Sequence, residues 1–293
     1  MNIALTGSSG LIGSKLLLDL QNMGHDVLCI SSSKSSPKDN IFLYEELTSK
    51  QFNFQIDFII HLASINSNLK ESELDLEVDL LRKVTNDMEN LQCKNIIFFS
   101  TIKVYGENSF DFSVIDESSI KNPECFYGLA KAKCEVLLKE LSYDRNFNYL
   151  ILRMPPVLID DPKSNVGKLF QLVKKGIPIP SFAIGDINQR SFLSYEFLVY
   201  VLKVILSKGI ISSSQAFNLC DSEPISTNGL LKRFGKSINK KPRIIYLPNF
   251  LFKTMIKINR LQLTLSKIFG NFHLSNAKLK KEFELPERLT KIN

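Results

Sequence analysis

Tyr127 and Lys131 stand four residues apart in Tyr127-Gly128-Leu129-Ala130-Lys131, a spacing that sets both side chains on one face of a helix continuing through Ala132–Leu141. A phenol with an ordinary pKa of about 10 is a poor base at neutral pH, and an ammonium beside it favours the phenolate. Such a pair can trade a proton with an alcohol or a ketone. Upstream, an apolar run over Asn95–Thr101 reads as a buried strand and ends in Ser100-Thr101-Ile102-Lys103-Val104-Tyr105-Gly106, so hydroxyls emerge where the strand stops. Thr101 is expected to donate a hydrogen bond to the reacting oxygen, with Ser100 beside it at the substrate. Thr101, Tyr127 and Lys131 are the expected catalytic set.

Interconversion of an alcohol and a ketone moves a hydride at carbon as well as the proton on oxygen, and the start of the chain offers a place for a hydride carrier. The strand Asn2–Thr6 runs into Gly7-Ser8-Ser9-Gly10-Leu11-Ile12-Gly13 and then into a helix. Gly7 can take the tight turn, Gly10 lets the backbone approach a pyrophosphate, and Gly13 lets the helix pack against the sheet. The N–H groups from Ser9 through Leu11 and Ile12 would then face phosphates at the positive end of the helix dipole. A nicotinamide dinucleotide is expected there, with Lys131 also reaching its ribose. After the second strand, Asp26–Ile30, the chain has Ser31-Ser32-Ser33-Lys34 where an acid would select the plain ribose hydroxyls. Ser31, Ser32 and Lys34 are the expected contacts to a ribose phosphate, so NADP(H) is favoured and NAD is left open.

The elements that would position these residues follow from pattern. Short apolar runs at Asn2–Thr6, Asp26–Ile30, Asp57–Leu62, Asn95–Thr101 and Asn148–Arg153 alternate with helix-period segments such as Leu11–Met23, which stops at Gly24. That alternation predicts an α/β fold, a doubly wound parallel sheet of the Rossmann type. Residues 1–155 are expected to form the dinucleotide-binding domain, joined by extended segments near 189–194 and 216–219. Residues 156–293, punctuated by Pro156, Pro162, Pro178 and Pro180 and carrying long helices at Tyr195–Ser207 and Phe250–Phe269, are expected to form a smaller substrate-binding portion.

Composition narrows the function classes. With 44% apolar and 23% charged residues in 293, the chain can bury a full core. No apolar run reaches the roughly 18–20 residues that span a bilayer, and MNIALTGSSG lacks the parts of a secretion signal, so a cytoplasmic protein is expected. Five scattered cysteines without CxxC spacing point to neither a disulfide frame nor zinc, and no metal site is expected. A net charge of +7, with Lys and Arg mixed among the acids and no basic run, does not point to nucleic acid; it would suit a phosphorylated substrate. His61, at a strand end, reads as structural, His25 as a surface residue and His273 as standing alone. The basic segment Phe250–Phe269 reads as packed against the substrate-binding portion, with interfacial binding to an anionic membrane as the minor reading.

Taken together these motifs resemble the extended short-chain dehydrogenase/reductase family, the nucleotide-sugar epimerases and dehydratases. The marks are Thr6–Gly13, Asp57-Phe58-Ile59-Ile60-His61-Leu62-Ala63, Ser100–Gly106, Tyr127–Lys131, Ile151-Leu152-Arg153 with Pro155, and Gln189-Arg190-Ser191-Phe192. The resemblance implies that Leu62, Ala63 and the Pro155 backbone line the cofactor and that Arg190 binds a substrate diphosphate. It also implies a UDP-sugar substrate held between the sheet and the C-terminal portion, and a homodimer built on a helix pair. Lys175–Pro180 and Leu279–Pro286 resemble bacterial enzymes of surface-polysaccharide synthesis, some 4-keto reductases and some 4-epimerases. Where most relatives have Asn in the helix before the catalytic strand, the nearest candidate is Asp79. The missing acid after Ile30 favours exchangeable NADPH and hence reduction of a UDP-4-keto-6-deoxy-amino sugar at carbon 4. The alternatives are a 4-epimerase with tightly bound NAD, and a non-catalytic relative that senses a dinucleotide or binds a protein.

Overall fold

The structure, a computed structural model, describes residues 1–31, 41–44, 55–65, 69–106, 110–162, 164–221 and 223–287. Seven strands form one sheet: β1 (Asn2–Thr6), β2 (Asp26–Ser31), β3 (Ile41–Leu43), β4 (Phe58–His61), β5 (Asn95–Thr101), β6 (Asn148–Met154) and β7 (Gln215–Asn218). Their order is β7-β6-β5-β4-β1-β2-β3, and β1 pairs in parallel with both β2 and β4. The winding therefore reverses between β1 and β4, which is where such sheets open a crevice at their carboxyl ends. Every side chain of β4 and β5 is buried, the reason their sequences read as continuous apolar runs instead of alternating ones.

Three helices of this unit matter for the site: α1 (Leu11–Asn22), α2 (Leu74–Asn86) and α3 (Phe126–Arg145). The first ends at Gly24, whose φ of +82° suits a residue without Cβ. Helix α3 begins one residue before Tyr127 and ends at Asn146 in the left-handed region. Leu81 and Val84 of α2 pack with Cys134, Leu138 and Leu141 of α3 against Ile59, Ile96 and Phe98 of the sheet. This shared core fixes the two helices at a set distance from β5.

The chain divides into two compact units: residues 1–106, 120–153 and 199–217, and residues 107–119, 154–198 and 218–293. Beyond the boundary expected at 155, the chain returns to the first unit at 199–217. The segment near 216–219 enters the main sheet as β7, but 189–194 does not: Leu193–Ser194 pairs with Val157–Leu158, and Arg190 bridges to Ile225 and Phe272. The chain leaves the sheet at Pro155-Pro156, which offer no N–H for a ladder, and the Pro156 carbonyl accepts the Leu193 N–H at 3.1 Å.

In the second unit the expected helix Phe250–Phe269 is two helices, Asn249–Met255 and Asn259–Phe269. Ile258 between them is extended (φ −97°, ψ 109°). The break lets Phe252, Met255 and Ile256 of one piece and Leu265 and Phe269 of the other reach the same cluster around Phe182.

Candidate active site

The glycine turn after β1 is built by close approach. Gly7 sits at φ +74°, and a Cβ on it would lie 2.7 Å from the Ala63 N; one on Gly13 would lie 2.0 Å from the Gly7 carbonyl oxygen. Helix α1 is thus pressed against the turn, and its first turn carries neither a capping side chain nor an acid. Ser9 and Gly10 are exposed and Leu11 and Ile12 half-buried; the Gly10 N–H is taken by the Gly7 carbonyl (3.0 Å), and the amides that follow it stand at the positive end of the helix, a cradle suited to a diphosphate. Leu62 and Ala63 lie directly behind the turn. The Ala63 N–H donates to the Thr6 hydroxyl (3.1 Å), which also bonds His61 Nδ1 (2.8 Å). His61 stacks on Phe98 with ring centroids 5.6 Å apart. Burial, helped by the Lys131 charge, pushes the His61 pKa down to about 3, so this imidazole is a neutral strut. Ser31 closes β2 and is half-buried; Ser32 and Lys34 lie outside the described residues.

At the end of β5, Thr101 is buried and its Oγ1 accepts the Lys103 N–H (3.3 Å), capping the short turn Ile102–Tyr105. Helix α3 sits tightly on that turn because residue 128 is glycine: a Cβ there would meet the Lys103 carbonyl oxygen at 2.5 Å. Cys125 Sγ caps the helix by accepting the Gly128 N–H (3.4 Å), a use of this thiol that its sequence setting did not signal. Tyr127 and Lys131 then project from one face, with Lys131 Nζ 5.9 Å from the Tyr127 ring centroid and 4.8 Å from that of Phe98.

The residue that sequence reasoning missed is Glu77. From α2 its Oε1 lies 2.8 Å from Lys131 Nζ, and both side chains are almost wholly buried. Its Oε2 accepts from the Ser64 hydroxyl (3.0 Å) and the Ile65 N–H (2.8 Å). Asp79, the expected candidate on this helix, is exposed; a position two residues away on a helix faces another direction. The electrostatics follow. Burial pushes the Tyr127 phenol above its ordinary value; Lys131 pulls it down, Glu77 pushes it further up, and a Ser64 hydrogen bond pulls it down. Burial also opposes the Lys131 ammonium, but the Tyr127 and Glu77 charges and the Glu77 hydrogen bond outweigh it and raise its pKa. The lysine is held charged, and its effect on the phenol is partly cancelled by the carboxylate that holds it.

Ser100 is drawn elsewhere, since its hydroxyl donates to Glu135 Oε1 (2.7 Å) inside a buried network. Arg153 Nε and Nη2 clamp Glu135 at 3.0 and 2.8 Å, and Arg153 Nη1 donates to the Tyr105 hydroxyl at 2.7 Å. Lys121 Nζ adds a contact to Glu135 Oε2 at 2.6 Å. In the second unit, Arg190 is half-buried, with Nη1 on the Gly270 carbonyl (3.2 Å), and Pro155 is buried. A separate cleft lined by Gln55, Asn86, Glu89, Arg145 and Phe147 lies before the strands begin, at the amino edge of the sheet, and contains none of these residues. Among the described residues no helix is long and apolar enough to cross a membrane, and no three His, Cys, Asp or Glu side chains are grouped to hold a metal ion.

Comparison with known proteins gives this geometry a context. The NAD dependent epimerase/dehydratase family matches residues 3–177. The UDP-glucose 4-epimerase of Vibrio cholerae is 27% identical over 276 residues, covering 88% of this chain and 82% of that one. The N-acetyl-alpha-D-glucosaminyl-diphospho-ditrans,octacis-undecaprenol 4-epimerase of Escherichia coli O157:H7 is 25% identical over 265 residues, covering 84% and 75%. In fold, the chain resembles the crystal structure of UDP-N-acetylglucosamine 4-epimerase from Bacillus cereus, with a TM-score of 0.77 over 97% of this chain and 93% of that one, at 18% identity.

Proposed function

Because this chain belongs to the NAD dependent epimerase/dehydratase family, we propose that it inverts carbon 4 of a UDP-linked sugar with NAD as its cofactor. The observation that carries this reading is the half-buried Tyr127 beside the buried Lys131–Glu77 ion pair, at the carboxyl edge of the same sheet that holds the glycine turn. The Gly7–Gly13 backbone, with Leu62 and Ala63 behind it, would hold the cofactor diphosphate and nucleoside. NAD, when bound, supplies reversible two-electron redox chemistry at the sugar carbon. Tyr127 Oη takes the proton of the carbon 4 hydroxyl and later returns it. Lys131 stabilises the phenolate while that proton is away, and the Thr101 hydroxyl is assigned to the same substrate oxygen. Arg190 remains assigned to the substrate diphosphate as a proposal from sequence resemblance.

The relatives' names favour epimerisation over the NADPH-dependent reduction expected from the Ser31–Lys34 segment, and the family's description favours NAD over NADP. A second reading keeps the same proton chemistry on a sugar diphosphate whose far end is a polyprenol, as the name of the Escherichia coli relative states for that protein. Incubation of the purified protein with UDP-glucose, UDP-N-acetylglucosamine or a polyprenyl-diphosphate sugar, followed by separation of the 4-epimers, tests both. Turnover without added NADPH is expected. Stoichiometric NADPH consumption with a 4-keto sugar and no epimer formed would return the reductase. Tyr127→Phe is expected to lower turnover by at least about 100-fold while the dinucleotide still binds; undiminished turnover would remove the assigned proton carrier.

A further inference from the structure

The net charge of +7 is not spread over the chain. Residues 224–281 contain thirteen Lys and Arg and no Asp or Glu, leaving 24 Lys and Arg against 30 Asp and Glu in the remainder. This corrects the expectation that the cations are mixed with acids throughout. Within the basic stretch lie the helices Asn249–Met255 and Asn259–Phe269, the first packing half-buried side chains and the second buried ones against the cluster around Phe182. Their outer faces are of mixed character. Phe250, Lys253, Thr254 and Lys257 fall at helical spacing on the first and the turn that follows it, and Arg260, Leu263, Thr264 and Lys267 on the second. Phe250 and Leu263 keep 66% and 55% of their surface exposed, and Leu251, Ile258 and Ile268 are exposed beside them. None of Lys253, Lys257, Arg260 and Lys267 has an acidic partner among the described residues.

We infer that this face docks on an anionic bilayer surface, with its cations on lipid phosphates and its apolar side chains at the acyl boundary. Single exposed apolar residues are ordinary, but five within 19 residues, interleaved with four unpaired cations, make the pattern of an interfacial helix. The occupant is argued from charge. A second copy of the same face would bring like cations together across a two-fold axis with no acid to meet them, whereas an anionic headgroup layer neutralises every one. Neither helix is long enough to span, so association is peripheral and reversible. The inference is independent of the chemistry proposed at Tyr127.

Flotation of the full chain with vesicles of phosphatidylcholine alone, or of phosphatidylcholine with phosphatidylglycerol, tests it. Partition is expected to be at least about tenfold greater on the anionic vesicles at low salt and to fall as salt screens the surface. The variant Lys253→Glu/Lys257→Glu/Arg260→Glu/Lys267→Glu is expected to lose about tenfold or more of that partition, and Phe250→Ser/Leu263→Ser about fivefold, with melting temperature and turnover of a soluble substrate retained. Failure of the wild type to float, equal partition on neutral vesicles, or undiminished partition of either variant overturns the proposal. So does a wild-type dimer that Phe250→Ser/Leu263→Ser converts to monomer, which would assign the face to a second copy.

Discussion

The Tyr127 phenol, the proposed proton carrier, is acted on by two opposite charges: Lys131 lowers its pKa and Glu77 raises it. In the proposed role Tyr127 accepts a proton only when ionised, so the rate should climb as pH rises through its pKa. Glu77 raises that pKa; removing its charge should therefore move the climbing limb of the kcat/KM profile to lower pH. Glu77→Gln keeps shape and hydrogen-bonding capacity and is the variant to measure, and an unmoved limb would mean that the carboxylate has no electrostatic hold on the phenol. The pair also bears on stability. Lys131→Met leaves Glu77 buried without its cation and should cost about 3–5 kcal/mol, while Lys131→Met/Glu77→Leu should recover most of the loss without restoring turnover. Equal destabilisation in the single and double variants, read from denaturant melts, would contradict this. Tyr127 and Lys131 were legible because their relation is local, four residues on one helix. Glu77 was not: in Leu74-Asp75-Leu76-Glu77-Val78-Asp79 the three acids are locally alike, and only the packing of α2 on α3 chooses which of them meets the lysine.

At the scale of elements, the strands and the glycine turn could be read because each announces itself by a short-range pattern, a continuous apolar run or three spaced glycines. Contacts that tie one element to another carry no such pattern. Glu135 lies on the same stripe of α3 as Tyr127 and Lys131 and joins the end of β5, through Ser100, to Arg153 on β6. It keeps α3 in register with the strand that carries Thr101. Burial would push its carboxyl up, but Arg153, Lys121 and Ser100 more than offset this and hold it below the usual carboxylate range. A folded pKa below the unfolded value of about 4.3 gives stability that is complete above that value and lost as pH falls through the lower folded one. The melting temperature of the wild type should therefore exceed that of Glu135→Gln at neutral pH, with the gap closing on acidification. A gap that persists well below pH 4 would show that the charge is not what stabilises the junction. The split of Phe250–Phe269 was hidden for a related reason, since its residues are compatible with one helix and the cluster around Phe182 decides the break.

The whole molecule hides its organisation in two kinds of average. A net charge summed over 293 residues conceals a stretch of 58 with no acid at all, and the extended pattern near 216–219 signals that the chain returns after Arg153 without showing that the return begins at 199. The third segment of the first unit, 199–217, contributes β7 beside β6 and the buried side chains Val201, Leu202, Ile205 and Leu206. It is also tied back by polar contacts: the Ile211 N–H donates to Asn95 Oδ1 at 3.1 Å and the Tyr149 N–H to Ser214 Oγ at 3.1 Å. Four fully buried aliphatic side chains contribute together about 6–12 kcal/mol, as much as the roughly 5–15 kcal/mol by which a folded protein exceeds its unfolded chain. A fragment of residues 1–198 retains the glycine turn, Thr101, Tyr127 and Lys131 and every strand of the sheet except β7. If the dinucleotide-binding domain folded without the returning segment 199–217, that fragment would fold and melt cooperatively. With β6 left as a bare edge and its covering residues gone, it is expected instead to show no cooperative transition by circular dichroism and to aggregate; a cooperative melt close to that of the full chain would mean that residues 199–217 are an accessory to the sheet and not part of its core.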